Sequence, residues 1–413
     1  MTSPARPPAG RARIAHAIGR AIVLCLASAH AAATAPTLPS FDGGEQRAIV
    51  RHGPWPPQPA LDAGNAAAAD VQAIALGQRL FFDARLSNGG ALSCATCHRP
   101  QWAFADRRAR GRGKVELDRN TPSLWNAAHE RWYGWDGAAD SLWSQSIRPI
   151  LDAREMGATA AHVHQRIARD PDLACRYRAA FGRTADSDDD ETALVRAAKA
   201  IGAFVGTLRS GRTPFDDFRD AIERGDARAA ARYPPAAQRG LKLFIGRGRC
   251  DLCHLGPMFS NGEFGDTGLP FFVRPGVVDS GRHGGIAALQ RSRYNLLSSW
   301  SDARDDEATT KTRHVQPQHR TFGEFKVPSL RNVALTAPYM HDGQLATLAD
   351  VVRHYSELNL ERLHADGEQI LQPLHLSAQE QADLIAFLRT LSDPRANAWR
   401  PLPLPSCPFG VVK

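Results

Sequence analysis

The pattern Cys-x-x-Cys-His occurs twice, as Cys94, Cys97 and His98 in "SCATCH" and as Cys250, Cys253 and His254 in "RCDLCH". Nothing else in the chain restricts its fold as strongly. The spacing sets two thiols on one turn of backbone with an imidazole beside them. This is the c-type haem attachment pattern, in which the thiols add to the porphyrin vinyl groups and the histidine reaches the iron. A zinc site built from the same four cysteines and two histidines competes with that reading. A thioredoxin-like redox pair would leave the histidine of both copies unexplained.

The surroundings repeat as well. "GQRLFFDARLSNGGALSCATCHRP" is similar to "RGLKLFIGRGRCDLCHLGP": a helix ending in Leu-Phe, a Gly-rich turn, then the motif. Two related modules are therefore expected, each packed around its own haem. Pro234 and Pro235 mark the entry to the second. "ETALVRAAKAIGAFVGTLRSG" and "SAQEQADLIAFLRTLSD" carry apolar residues at steps of three and four, and period-two runs are scarce. The chain reads as mainly α, two cytochrome c-like haem domains packed together with long loops. Their bounds are set at 34–228 and 229–413, and the Gly-, Pro- and charge-rich stretch from about 256 to 325 is assigned to surface loops.

Arg6, Arg11, Arg13 and Arg20 precede the apolar run "AIVLCLASA", and small residues follow. Residues 1–33 thus read as a secretory signal peptide cleaved near Ala31 or Ala33, which would place the mature protein in the periplasm. The run falls short of the roughly 20 residues a membrane span needs. Of 51 Lys and Arg residues only six are lysines, and the net charge is +8. A solvated basic surface and a docking face for an acidic protein both fit that charge. No nucleic-acid motif accompanies it. Of seven cysteines, Cys25 leaves with the signal peptide and four belong to the motifs. Cys175 and Cys407 remain, and in an oxidising compartment they either pair or stay free.

From about Gly77 to Leu391 the chain resembles the bacterial di-haem cytochrome c peroxidase and MauG family, through "LFFDARLSNGGALSCATCH", "RNTPSLWNA", "GWDGAADSLWSQSIRPILDAREMG" and "FKVPSLRNVALTAPYMHDG". The resemblance implies two covalent c-type haems, the N-terminal one reacting with hydrogen peroxide. It implies that Gln145 and Glu155 form the distal pair there, with the carboxylate relaying a proton between the peroxide oxygens. Pro149 lies between them, and a bend there would turn both toward a pocket. Trp135 in "GWDG" matches the tryptophan placed between the haems. Asn120, Thr336 and Pro338 match a calcium site, for which their oxygens suit a hard cation. Taken bare, the distal pair would be surface residues, Trp135 a core indole and the calcium trio ordinary loop residues. Family peroxidases often carry a histidine between the first motif and "RNTP" that blocks the peroxide iron. Residues 99–119 here contain none, and His129, past Asn120, reads as structural. The first iron is expected to be open.

The second haem needs a sixth ligand. Only Met258 and Met340 follow its motif, and Met258 is four residues from His254, too close to cross the ring plane. "PYMHDG" offers Met340, Tyr339 and His341. "TLADVVRHY" opens with a capping box, Thr347 to Asp350, and reads as a helix with Leu348, Val351, Val352 and Tyr355 on its apolar face and His354 off it. On pattern alone Tyr355 is a core aromatic. In the family, however, the residue fourteen after the histidine of "HDG" is the ligand, methionine in the peroxidases and tyrosine in MauG-like enzymes. Here that residue is Tyr355.

By resemblance to MauG, peroxide would produce Fe(IV) at both haems, coupled through Trp135, and oxidise a residue of an exported partner protein, a tryptophan by preference. "HYSELNLERLHADGEQIL" is also similar to the MbnH branch, which oxidises a partner's tryptophan to kynurenine. A peroxidase fed by a small cytochrome c is the first rival, and a non-catalytic di-haem electron carrier the second.

Overall fold

The computed structural model describes residues 41–58, 62–304, 306–363 and 370–408, so the expected signal peptide lies outside the described residues. Helices dominate, and the strands are two short antiparallel pairs: Phe264–Gly265 with Phe325–Lys326, and Phe272–Arg274 with Val277–Val278. Among the described residues no helix is long and apolar enough to cross a membrane.

The hydrophobic side chains gather into two cores. The first is built on the helices Val71–Phe82, Leu142–Leu151, Ala160–Arg169, Pro171–Phe181 and Asp190–Gly206. The second rests on Pro235–Ile245, Leu348–Ser356 and Ala378–Arg389. It also draws Ile49, Phe215 and Phe218 from earlier in the chain, while Trp399 of the tail packs on the first. Each fully buried Leu or Phe contributes about 1.5–3 kcal/mol of burial.

The repeat seen in the sequence has a packing counterpart. A Cβ on Gly77 would lie 1.9 Å from the Ala200 carbonyl oxygen, and a Cβ on Gly240 would lie 1.9 Å from that of Asp383. Gly77 and Gly240 stand at the same place, four residues before the Phe of each Leu-Phe pair. At both, one helix crosses another too closely for any side chain. Asp70 caps the first of these helices through Gln72 N and Ala73 N, and Pro235 opens the second at its first turn, where a missing N–H costs nothing.

The stretch from about 256 to 325 is not all loop. Two helices lie within it, Gly281–Arg291 and Asp306–His314. The first has three glycines in five residues, which dilute its periodicity, and its reason is tertiary. A Cβ on Gly285 would lie 2.1 Å from the Asp136 carbonyl oxygen, and Arg282 donates to the carbonyls of Asp136 and Gly137. The second is polar throughout and is held by Lys311, which donates to the carbonyls of Arg131 and Asp140, and by Thr312, which donates to the Asp140 carboxylate.

Cys175 and Cys407 do pair, across 232 residues, and tie the helix Pro171–Phe181 to the tail. Closing a loop of that length in the unfolded chain is worth about 5 kcal/mol in the chain-entropy account.

Candidate active site

Both Cys-x-x-Cys-His motifs open onto one cavity of about 1470 Å³. A single-ligand pocket is about 300–1,000 Å³, so this one has room for more than one large group. Ser93 precedes the turn Cys94–Cys97, and the His98 ring then hydrogen-bonds through Nδ1 to the Phe104 carbonyl at 3.1 Å. Left-handed backbone at Ala103 and Phe104 shapes the loop that carries this carbonyl. His254 repeats the arrangement, with Nδ1 2.9 Å from the Phe259 carbonyl. In each case the tautomer with Nδ1–H leaves Nε2 as the free donor to a metal.

These residues fit covalently held haem. Burial pushes the Cys94 and Cys250 thiols up to about 12 and Cys97 to about 11. No three His, Cys, Asp or Glu side chains among the described residues come together as a set that could hold one metal ion, which removes the zinc alternative. The Trp125 Nε1 is buried without a hydrogen-bond partner and its residue lines the cavity. A bound group with carboxylate acceptors would satisfy such an orphaned donor.

The cavity wall gathers every residue expected at the site: Gln145, Glu155, Trp135, Asn120, Thr336, Pro338 and Tyr355 all line it. Gln145 stands on the helix Leu142–Leu151, and its Oε1 accepts from Arg148 at 3.1 Å. This helix runs through Pro149 instead of breaking there. Glu155 lies on the turn that follows it, and Met156 N closes that turn on the Pro149 carbonyl. Burial and Asp152 push the Glu155 carboxyl up, against the opposing pull of Arg148 and Arg154. Glu155 in turn adds to the upward shift of both first-motif thiols, which places it beside that motif.

Trp135 donates through Nε1 to the Asn120 carbonyl at 2.9 Å, and its own carbonyl accepts from Lys326 N at 2.8 Å. Asn120 N donates to the His341 carbonyl at 2.7 Å, so segments from both halves of the chain meet at this indole. Asn120 Oδ1 and the carbonyls of Thr336 and Pro338 accept no hydrogen bond among the described residues. Three oxygens on this wall are thus uncommitted, as a hard cation requires. His129 is absent from the wall; its ring lies 5.9 Å from that of Trp55.

Around the second motif the competing ligands separate. Met258 does not reach the wall. The Tyr339 hydroxyl donates to the Val333 carbonyl at 3.0 Å, and the His341 ring is stacked on Phe325 with centroids 3.5 Å apart. His354 Nε2 is 2.8 Å from the Thr267 carbonyl. Tyr355 shares its helix face with Leu348, Val351 and Val352, and its hydroxyl makes no hydrogen bond among the described residues. Burial pushes its phenol up, with Cys250, Cys253 and Asp266 adding to the effect, which places the ring beside the second motif. Met340 and His341 also line the cavity and are the other donors within it.

Two features of the site escaped the sequence. Arg119 is paired with Asp136 at 2.6 Å and Asp279 at 2.7 Å, a buried bridge beside Trp135 between the two halves. Burial raises the carboxyls of both aspartates, but Arg119 outweighs it and holds them low. The other is Gly113. A Cβ there would lie 2.6 Å from the Glu155 Cα, while Lys114 N and Val115 N both donate to the Arg154 carbonyl. The turn therefore presses on the backbone of the acid. Gly113→Val is expected to shift Glu155 and slow the reaction with peroxide by up to about 10²-fold while both haems stay attached. Stopped-flow mixing with peroxide measures this, and an unchanged rate would remove Gly113 from the site.

Fold and cavity define a mainly α protein of two cytochrome c-like modules. The profile of the di-haem cytochrome c peroxidase family matches residues 71–224. The chain is 35% identical to the methylamine utilization protein MauG of Methylorubrum extorquens, over 80% of this chain and 81% of that one. It is 33% identical to the cytochrome-c peroxidase IdrP2 of a Pseudomonas species, over 81% and 84%. A solved MauG-like protein associated with microbial copper homeostasis superposes with a TM-score of 0.64 at 28% identity, covering 87% of this chain and all of that one. The chain belongs to the di-haem cytochrome c peroxidase and MauG family, and is an oxidoreductase of the peroxidase type.

Proposed function

We propose that this is a periplasmic MauG-like enzyme that uses hydrogen peroxide to oxidise a residue of a partner protein, a tryptophan by preference, by long-range electron removal. Two haems held by Cys94, Cys97 and His98 and by Cys250, Cys253 and His254 would supply the iron centres through which electrons pass to peroxide. The rest falls to the chain's own side chains. Glu155, as carboxylate, accepts the proton of the entering peroxide and returns it to the far oxygen, which leaves as water. Gln145 orients the peroxide from the adjacent helix. Trp135, on the wall of the cavity that both motifs share, is the indole through which an electron would cross. Asn120, Thr336 and Pro338 would hold a calcium ion through their uncommitted oxygens. Tyr355 would hold the second iron through an anionic, hard oxygen, giving up the proton of a phenol that burial alone keeps neutral.

One observation carries this reading: Tyr355 lines the cavity onto which the second motif opens and its hydroxyl makes no hydrogen bond among the described residues, while the Tyr339 hydroxyl and His354 Nε2 are engaged elsewhere. The cytochrome-fed peroxidase is the second reading, supported by the 33% identity to IdrP2. Electron paramagnetic resonance of the resting ferric holoprotein separates them. The proposed enzyme shows one high-spin and one low-spin haem and consumes peroxide without prior reduction. Two low-spin signals, with turnover only after reduction by a small cytochrome c, would overturn it.

A further inference from the structure

Residues 107–114, "RRARGRGK", hold five cations and no carboxylate, within a chain of net charge +8. Arg110 donates to the Val273 carbonyl at 2.8 Å. The other four, Arg107, Arg108, Arg112 and Lys114, are exposed and enter no ion pair with a described residue. Unpaired like charges repel one another, and a chain that needed only solubility would intersperse acids among them.

This segment is held in place at the edge of the cavity. Gly113 and Leu117 line the cavity, the Cys97 thiol is 3.6 Å from the Arg112 carbonyl, and Gly113 rests on Glu155. The strands Phe272–Arg274 and Val277–Val278 are fastened beside it by the Arg110 bond and by Arg274 to Asp118 at 2.9 Å. On that hairpin Phe272 is 68% exposed, while Val278, its partner across the strands, lines the cavity. Val115, on the cationic segment itself, is 48% exposed. An apolar centre joined to a charged margin is the composition of a protein-binding face. A small anion would find use for the cations but none for the exposed Phe272 and Val115.

We propose that this face docks an acidic protein against the edge of the first haem module. The proposal rests on the reading that the enzyme exchanges electrons with another protein, and it names the charge of that partner and where it sits. The cations steer the partner in, and Phe272 and Val115 form the dry contact.

The test uses ferric holoenzyme, with an acidic monohaem cytochrome c as the probe and a basic one as the control, by isothermal titration calorimetry. The acidic probe binds at low salt and weakens about tenfold or more near physiological ionic strength. The double variant R107E/R108E loses about tenfold or more in affinity at low salt. Phe272→Ser weakens binding but leaves the salt dependence in place. Haem content and the peroxide reaction stay at parental levels in both variants, so a failure of docking is distinct from a failure of the peroxide chemistry. Equal binding of the basic cytochrome, an unaffected double variant, or no binding of the acidic probe to the parent at low salt would each overturn the proposal.

Discussion

Glu155→Gln is expected to slow the reaction of the resting holoprotein with peroxide by about 10²–10⁴-fold, the usual contribution of a positioned acid–base group. The amide keeps the size and hydrogen-bonding reach of the acid but cannot carry a proton from one peroxide oxygen to the other. Both thiol pairs and both proximal histidines are left untouched, so haem content and the low-spin signal stay at the parental level. The pH dependence has a definite sign. Only the carboxylate form accepts a proton, and burial with Asp152 holds the Glu155 carboxyl above its ordinary value. The parental rate therefore falls as pH drops through that raised value, beginning nearer neutrality than for an exposed glutamate. Glu155→Gln is flat over the same range. A variant that reacts as fast as the parent, or that retains the acid limb, would remove Glu155 from the proton relay.

How far the sequence could be read depended on whether a feature was local or tertiary. The two haem motifs were legible because attachment fixes residue types at a set spacing. The helix Leu348–Ser356 was legible because Thr347 and Asp350 cap it within four residues, and both capping bonds form. The crossing glycines Gly77 and Gly240 sit inside the visible repeat, yet their purpose needed a second helix, found far along the chain at Ala200 and Asp383. The helix Gly281–Arg291 was missed for the opposite reason. Glycines that let it approach Asp136 also erased its period, and no local signal reports a contact 149 residues away in sequence, between Gly285 and Asp136. Gly113 carries no signal either, because a glycine in a basic, Gly-rich segment looks like slack. Only the 2.6 Å approach to Glu155 shows that it is required. The cluster of Arg119 with Asp136 and Asp279 is likewise a meeting of distant segments.

Exchanging the phenol for a thioether should have the largest effect on electron transfer. Tyr355→Met is expected to raise the potential of the second haem by on the order of 100 mV or more, since axial ligands span about 0.8 V across haem proteins. An anionic oxygen favours the ferric state, whereas a neutral sulfur favours the ferrous one. With the sulfur in place, the second haem accepts an electron readily from a small cytochrome and the chain moves toward cytochrome-fed peroxide reduction. Oxidation of a partner residue falls in step, because the centre that favours oxidised iron is gone. Met340→Leu is the necessary companion, because Met340 shares the cavity wall. It should leave both the potential and the low-spin signal unchanged, its side chain being replaced by one of similar volume. Spectroelectrochemical titration of the two variants decides between the donors. If Met340→Leu moves the potential while Tyr355→Met leaves it where it was, sulfur is the ligand. The uncommitted phenol would then be only a packed aromatic, and the cytochrome-fed peroxidase the better account of the chain.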